Sequence, residues 1–361
     1  MYTTQTIQIR SHVGSYQVQS CISIDEALRI AYVPGKTWII SDALLSKLHV
    51  SSFNAILGTD TTERLLSITA SEEAKSYEQL GPVFRWLLDH GFRRDCTLLA
   101  VGGGVIQDIA SFVATVLLRG ISWKFIPSTL LAQCDSCIGA KSSINIGPFK
   151  NQLGSFYPPT NILLVTDLLK SLNSDQIRSG FGEIIKFHLL DGQSSWEFIQ
   201  DHIDWDDQEL IRSLVLRSLA IKLPYIENDE FDRGVRNLLN YGHTFGHAFE
   251  TATNFAIPHG IGVAIGMSAA TYISEQRGLT SSGHFTEVNA VLKRVYTPFQ
   301  NQLSSTNIDL VIKAMGTDKK NVAGSTFVIL TRGPGKMEKI KVDLEAEIRP
   351  LLCKFFAFIN M

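Results

Sequence analysis

The feature that most constrains this chain is a short apolar run, TLLAV (97–101), that leads straight into Gly102-Gly103-Gly104 and then into a helical pattern starting near Val105. A strand that turns through glycines into a helix is the repeating unit of a parallel sheet. The same signal recurs upstream, where TWII (37–40) runs into Ser41-Asp42 and a helical pattern covers Tyr77 to His90. IQIR (7–10) and YQVQS (16–20) read as a hairpin. The first part of the chain is therefore expected to be an α/β domain with a Rossmann-like, mainly parallel sheet, and such sheets take their ligands beyond the carboxyl ends of their strands.

After about residue 165 the pattern becomes long, helical and poor in strand signals. Ser174 reads as the N-cap of a helix to about Leu190, with Gly192 past its end. Further helices are expected over Asp206–Lys222 (stopped near Pro224), Arg236–Thr251 and Gly260–Gln276, and FVIL (327–330) reads as a returning strand. The expected division is an α/β domain over 1–168 and an all-helical C-terminal domain over 169–361. With 361 residues, two domains also agree with about 150 residues per domain.

Charged residues make up only 19% of the chain, below the roughly 25% of an average globular protein, which points to large buried cores rather than disorder. A net charge of −2 argues against a nucleic-acid partner, which normally leaves a basic footprint. No apolar run approaches the roughly 18 residues of a membrane span; the longest, Ile109–Leu118, stops at Arg119. The N-terminal MYTTQTIQIR has no signal-peptide pattern, and five cysteines, an odd number, read as free thiols in a reducing cytoplasm.

Four motifs carry chemistry. Glycines at 102–104 let backbone N–H groups approach a phosphate at a helix N-terminus, although they equally suit a plain tight turn; Gln107 stands where the usual dinucleotide fingerprint has its third glycine. Asp108 lies one turn into the helix, placed to bond a ribose or to sit in its first turn. GHTFGHAFE (242–250) places His243, His247 and Glu250 on one helix face, and His259 begins another helix after Pro258. Two histidines four apart are a common zinc arrangement, and Gly242 and Gly246 within that pattern imply close packing against the backbone. In GFGEIIK (180–186), Glu183 and Lys186 meet on one helix side among apolar neighbours, so they form an ion pair or serve a metal. Lys141, Lys150, Asn151, Lys222, Arg236 and Asn240 lie in apolar or Gly/Asn-rich sequence and suit a small polyanion if they converge. Cys134-Asp135-Ser136-Cys137 is a C-x-x-C among apolar residues and reads as buried thiols.

In order and spacing, GGGVIQDIASFVATVLLRG, IPSTLLAQCDSCIGAKSSIN, KNQLGSFYPP, SGFGEIIK, RNLLNYGHTFGHAFE and HGIGVAIGM resemble the 3-dehydroquinate synthase family of sugar-phosphate cyclases. The resemblance implies an NAD-binding domain, a helical metal-binding domain, an active site between them and a homodimer. It implies zinc, or cobalt, held by Glu183, His243 and His259, which moves His247 from the metal to the substrate. NAD contacts would come from Asp42, Glu72, Lys75, Gly102, Gly103, Gly104, Asp108, Ser128, Thr129 and Ser171. The catalytic set would be Lys141, Lys186, His247, Asn151 and Arg236. Asp135, Lys150, Lys222 and Asn240 would bind substrate, with Arg119 reaching a neighbouring subunit's phosphate site and Lys319 or Lys320 closing the pocket. The implied reaction converts 3-deoxy-D-arabino-heptulosonate 7-phosphate to 3-dehydroquinate and phosphate, with NAD regenerated in each cycle.

Several positions depart from the family's usual pattern. Ser128 replaces a threonine, Ala140 a glycine, and Ser71-Glu72-Glu73-Ala74-Lys75 stands for G-E-x-x-K. His259-Gly260-Ile261-Gly262-Val263 stands for HGEAV, so an acidic residue is lost beside a metal ligand. Rival readings are a sister cyclase acting on an amino analogue or another sugar phosphate, and a metal-dependent alcohol dehydrogenase of the wider fold. The intact Lys222, Arg236 and Asn240 favour a carboxylated substrate.

Overall fold

The structure is a computed structural model that describes residues 6–147, 149–316 and 326–359. The chain divides into two compact units, Met1–Leu172 and Asn173–Met361, against the expected division at 168/169.

The first unit holds β1 (Thr6–Ser11), β2 (Gly14–Ser20), β3 (Thr37–Asp42), β4 (Leu65–Ile68), β5 (Thr97–Gly102), β6 (Ser122–Pro127), β7 (Ile144–Ile146), β8 (Phe149–Leu153) and β9 (Asn161–Leu164). Seven of them form one sheet in the order β1-β2-β9-β6-β5-β3-β4. Only the β1–β2 hairpin is antiparallel; every other pairing in that sheet is parallel. β7 and β8 form a separate antiparallel pair. In β5 the residues from Leu98 to Gly102 are all buried, which explains a continuous apolar run where a half-exposed strand would alternate. β2, near the sheet edge, does alternate: Tyr16, Val18 and Ser20 are buried. α1 (Tyr77–Asp89) and α2 (Gly104–Val116) lie in the sequence positions expected for crossover helices.

Strand order reverses at β3 and β5. From β3 the chain steps outward to β4, and from β5 it steps the other way to β6. The carboxyl ends of β3 and β5 therefore flank the switch point, where an open α/β sheet presents its ligand crevice. Asp42 and Gly102 are the last residues of those two strands.

The second unit is built around α6, with α3 (Ser174–Asp191), α4 (Gln208–Asn228), α5 (His243–Ala252) and α6 (His259–Gln276) as its longer helices near the candidate site. α6 is buried along nearly its whole length, as expected of a helix that is apolar on every side. The expected strand at 327–330 lies in β10 (Thr326–Thr331), and it has a partner that the sequence pattern did not reveal, β11 (Met337–Val342), paired with it antiparallel.

Three helix boundaries differ from expectation for physical reasons. The N-cap of α3 is Asn173, not Ser174; its side chain accepts from Gln176 N at 2.9 Å while the Gln176 side chain accepts from Asn173 N at 3.0 Å. α4 continues through Pro224 to Asn228. An internal proline costs about 3 kcal/mol, and burial of Ile221, Lys222 and Ile226 around it holds the helix together. The helix expected over Arg236–Thr251 breaks at Gly242, whose φ of +78° ends a 3-10 turn (Val235–Asn240) and lets α5 start at His243. The Cys134–Cys137 pair consists of buried free thiols.

His188, in α3, is fully buried. Its Nδ1 donates to the Ile184 carbonyl at 2.8 Å, and its Nε2 has no partner. Burial pushes its pKa down from 6.5 to about 4. The unfolded chain therefore takes up a proton near pH 6.5 that the folded chain refuses, so this residue costs no stability above pH 6.5 and progressively more as pH falls toward 4. Urea unfolding of wild type and His188→Gln at pH 7.5 and 5 tests this. Wild type should lose on the order of 2 kcal/mol more than the variant over that interval; equal losses would contradict it.

Candidate functional site

The glycine turn lies at the carboxyl end of β5, and Gly103 caps α2. Ser128 N donates to the Gly102 carbonyl at 2.9 Å, tying the end of β6 to the turn. Gly103 lies against Thr129: a Cβ on it would come within 2.8 Å of the threonine Cγ2. Gly102, Gly103, Gly104, Ser128 and Thr129 thus form one local surface. Asp42 caps the short helix Ala43–Leu48, accepting from Leu44 N at 2.9 Å. The Ser171 hydroxyl donates to the Leu168 carbonyl of its own turn at 2.7 Å.

A polar cluster gathers Glu72, Lys75, Asp108, Lys150 and Asn151. The buried Lys75 ammonium donates to Asp108 Oδ2 at 3.0 Å and to Asn151 Oδ1 at 3.1 Å, with Glu72 Oε1 at 3.4 Å. Burial would lower the Lys75 pKa, but Asp108 and Glu72 outweigh it and hold the ammonium above its usual value. For Asp108, burial raises the pKa against the pull of Lys75 and two donors from Ser143, whose N and Oγ lie at 2.9 and 3.0 Å. Asn145 completes the cluster, donating to Glu72 Oε1 at 2.9 Å and accepting from Asn151 N at 2.8 Å. Lys150 Nζ lies 3.9 Å from Glu72 Oε1. Ser143 and Asn145 were quoted within a motif but given no role; nothing in an SSIN tetrapeptide marks them as the scaffold of this network.

The candidate metal cluster lies in the second unit. Glu183 of α3 is fully buried; its Oε2 is charge-paired with Lys186, and neither carboxylate oxygen accepts a well-formed hydrogen bond. The Nε2 atoms of His243 and His259 lie 3.6 and 3.4 Å from Glu183 Oε1. His243, His247 and His259 form a nearly equilateral triangle, with ring centroids 5.4–5.5 Å apart. Two sets of potential donors fall within ligating reach of one another, Glu183–His243–His259 and His247–Glu250–His259. The first fits a divalent ion better. Its buried carboxylate lacks hydrogen bonds, and a carboxylate with two imidazoles is a known zinc donor set. His243 Nδ1 is 3.3 Å from the Tyr241 carbonyl and His259 Nδ1 is 3.0 Å from Glu250 Oε1, so both rings can be held with Nε2 toward Glu183. Glu250 and Glu183 raise the His259 pKa to about 10 against the effect of burial.

Glycines set this geometry. A Cβ on Gly182 would lie 2.0 Å from the Gly260 carbonyl oxygen, and one on Gly260 would lie 1.8 Å from that of Ser179. α3 and α6 therefore touch backbone to backbone beside Glu183 and His259. A Cβ on Gly266 would lie 2.0 Å from the Gly242 carbonyl oxygen, and one on Gly246 2.8 Å from that of Gly262, so α5 and α6 meet in the same way.

The remaining expected residues are placed as follows. Lys222 and Arg236 are buried, and Asn240 donates to the Asn237 carbonyl at 3.0 Å. Ile221 and Leu239, their chain neighbours, share a core cluster with Phe187, next to Lys186. Asp135 lies in a π-helical turn and Lys141 is exposed with its ammonium 5.9 Å from the Phe156 ring centre. Ala140 before it adopts φ +63°, the left-handed conformation for which glycine is favoured. Arg119 sits in a left-handed turn with Leu118. Ile261 is fully buried. Lys319 and Lys320 lie outside the described residues.

Together the two units define a class: an α/β unit with a glycine turn at its sheet's switch point, followed by a helical unit with a buried carboxylate–imidazole cluster. Family models described as 3-dehydroquinate synthase N-terminal and C-terminal match residues 65–179 and 180–321. The chain is 31% identical to a 3-dehydroquinate synthase of Enterococcus faecalis, with 98% of both chains covered. It is 36% identical to one of Roseobacter denitrificans, covering 82% of this chain and 83% of that one. Among solved structures it resembles 2-deoxy-scyllo-inosose synthase complexed with carbaglucose-6-phosphate, NAD+ and Co2+ (TM-score 0.85, 22% identity, 97% of this chain and 99% of that one). It also resembles 2-epi-5-epi-valiolone synthase from Streptomyces hygroscopicus subsp. jinggangensis with NAD+ and Zn2+ bound (TM-score 0.78, 24% identity, 95% and 97% covered). The chain belongs to the 3-dehydroquinate synthase family.

Gly182→Ala and Gly260→Ala should each cost several kcal/mol, because the clash is with backbone that cannot rotate away. Gly81→Ala in α1, with nothing within 4 Å but followed by Pro82, should change stability by less than about 1 kcal/mol. Denaturant midpoints measure both; equal effects at the three positions would contradict the packing account.

Proposed function

We propose that the protein is an NAD- and zinc-dependent 3-dehydroquinate synthase, releasing phosphate from 3-deoxy-D-arabino-heptulosonate 7-phosphate. The observation that carries this reading is the set of buried cations in the helical unit: Lys186, Lys222 and Arg236 are all at most 5% exposed. Burying positive charge is costly unless anions face it, and a bound ligand can add anions to those that the protein provides. A substrate with a carboxylate and a phosphate supplies them, whereas a simple alcohol dehydrogenase has no use for so many. The family's activity and the NAD+ with Co2+ or Zn2+ bound in the two cyclase structures support the cofactors.

In this reading Glu183, His243 and His259 hold the metal ion, and the Gly102–Gly104 turn with Asp42, Glu72, Lys75, Asp108, Ser128, Thr129 and Ser171 binds NAD. When bound, NAD supplies a reversible hydride acceptor and zinc polarises a substrate hydroxyl as a Lewis acid. Lys222, Arg236 and Asn240 orient the carboxylate, with Asp135, Lys141, Lys150 and Asn151 placing the sugar and its phosphate. Lys75 keeps Asp108 and Asn151 in fixed positions through its two hydrogen bonds. Lys186 balances the Glu183 carboxylate at Oε2, the oxygen that the two imidazoles do not face. His247, in the imidazole triangle but outside the preferred donor set, is placed to accept or return a proton at its ring nitrogen. Arg119 serves a neighbouring subunit in a homodimer, and the enzyme works in the cytoplasm.

Purified protein with zinc, NAD+ and the heptulosonate phosphate should release phosphate and dehydroquinate in equal amounts, with no net change in NADH. No product at full metal occupancy would overturn the assignment, and accumulating NADH would mark a dehydrogenase. Turnover only with the amino analogue, or with sedoheptulose 7-phosphate, would identify a sister cyclase. His243→Ala should lose both zinc and turnover, the latter by at least about a hundredfold; retained zinc stoichiometry would refute the donor set.

A further inference from the structure

We infer that Glu250 is the positioning residue that sets the orientation of the His259 ring, and that Gly262 is what leaves Glu250 room to do so. The inference rests on the proposed metal role of His259. An imidazole has two nitrogens, and fixing one aims the other. His259 Nδ1 lies 3.0 Å from Glu250 Oε1, while Nε2 lies 3.4 Å from Glu183 Oε1. With Glu250 accepting the Nδ1 proton, Nε2 is the nitrogen that faces Glu183 and would offer its lone pair to a metal ion bound there.

The contact bridges the end of one helix and the start of the next. Glu250 sits in the last turn of α5, and His259 is the first residue of α6. The intervening chain turns back sharply, with Asn254 and Phe255 in left-handed conformations and Phe255 N donating to the Glu250 carbonyl at 2.7 Å. Backbone at Glu250 is thereby fixed, and the side chain, 12% exposed, lies along α6. There it passes Gly262: a Cβ at that position would come within 3.0 Å of Glu250 Cγ and 3.1 Å of Oε1. A methyl group would push the carboxylate a few tenths of an ångström, enough to spoil its line to Nδ1.

Glu250 also belongs to the alternative donor set with His247 and His259, so its role needs separating from direct ligation. Glutamine separates them. Its amide oxygen still accepts the Nδ1 proton, more weakly than a carboxylate, but it is a poor metal ligand.

The test uses full-length, metal-stripped protein and competition between each variant and a chromogenic chelator for Zn2+, alongside thermal midpoints of the metal-free forms. Glu250→Gln should bind zinc within about threefold of wild type, and Glu250→Ala about 10–100-fold more weakly. Gly262→Ala, which keeps the carboxylate, should bind at least about fivefold more weakly and serves if Glu250→Ala fails to fold. Wild-type affinity in either alanine variant, or a glutamine variant as weak as the alanine one, overturns the inference. His259→Ala is measured in parallel. If it retains zinc, the metal assignment itself falls; if it loses zinc while Glu250→Ala keeps it, only the role of Glu250 falls.

Discussion

Backbone-to-backbone contact between helices is the constraint on which the candidate metal cluster depends. Its three donors come from three helices, and imidazole and carboxylate side chains are short. Here they meet where the helices come closer than side chains normally permit. Gly182 and Gly260 allow this between α3 and α6, and Gly246 and Gly266 allow it between α5 and α6. α6 is the common partner, fully enclosed in apolar packing, so it acts as a rigid reference for both crossings. A bound ion adds to this arrangement, but the closeness of Glu183 to the two imidazoles is already set by glycine positions that carry no chemistry themselves.

The second theme is charge taken out of water. The chain is nearly neutral and sparse in charge, yet Lys75, Glu183, Lys186, Lys222 and Arg236 are buried. Buried ions rarely add net stability. In the first unit Lys75 and Asp108 offset one another and are joined by uncharged donors and acceptors. In the second unit Lys186 pairs with Glu183, and Arg236 donates to the Glu230 carbonyl and, against the effect of burial and alongside backbone donors, lowers the pKa of Asp229. Net charge therefore spoke against nucleic acid but carried no information about these buried cations.

Much of this was legible in the sequence because it rests on local pattern. The strand–glycine–helix unit at 97–105 and the buried β5 follow from apolar runs and turn residues, and Gly242 and Gly246 announced a close approach before its partner was known. What was not legible was long-range. Nothing near residue 330 announces that β10 pairs with β11. Pro224 marks a helix end by local rules, yet packing on both sides carries α4 past it. Asn173 displaced Ser174 as the cap because Gln176 can answer it, a three-residue spacing that was readable but overlooked. At the site, the i, i+4 spacing of His243 and His247 suggested a shared metal. Glu183 comes from the family resemblance rather than from spacing, and the fold sets its Oε1 within 3.6 Å of His243 and 3.4 Å of His259. The tie between Glu250 and His259 spans two helix ends and has no sequence signature.

The most direct measurement is X-ray absorption at the metal edge of the zinc-loaded protein, which counts the imidazoles in the first coordination shell. Two imidazoles with oxygen donors are expected from Glu183, His243 and His259. Three imidazoles would place His247 on the metal and contradict the account.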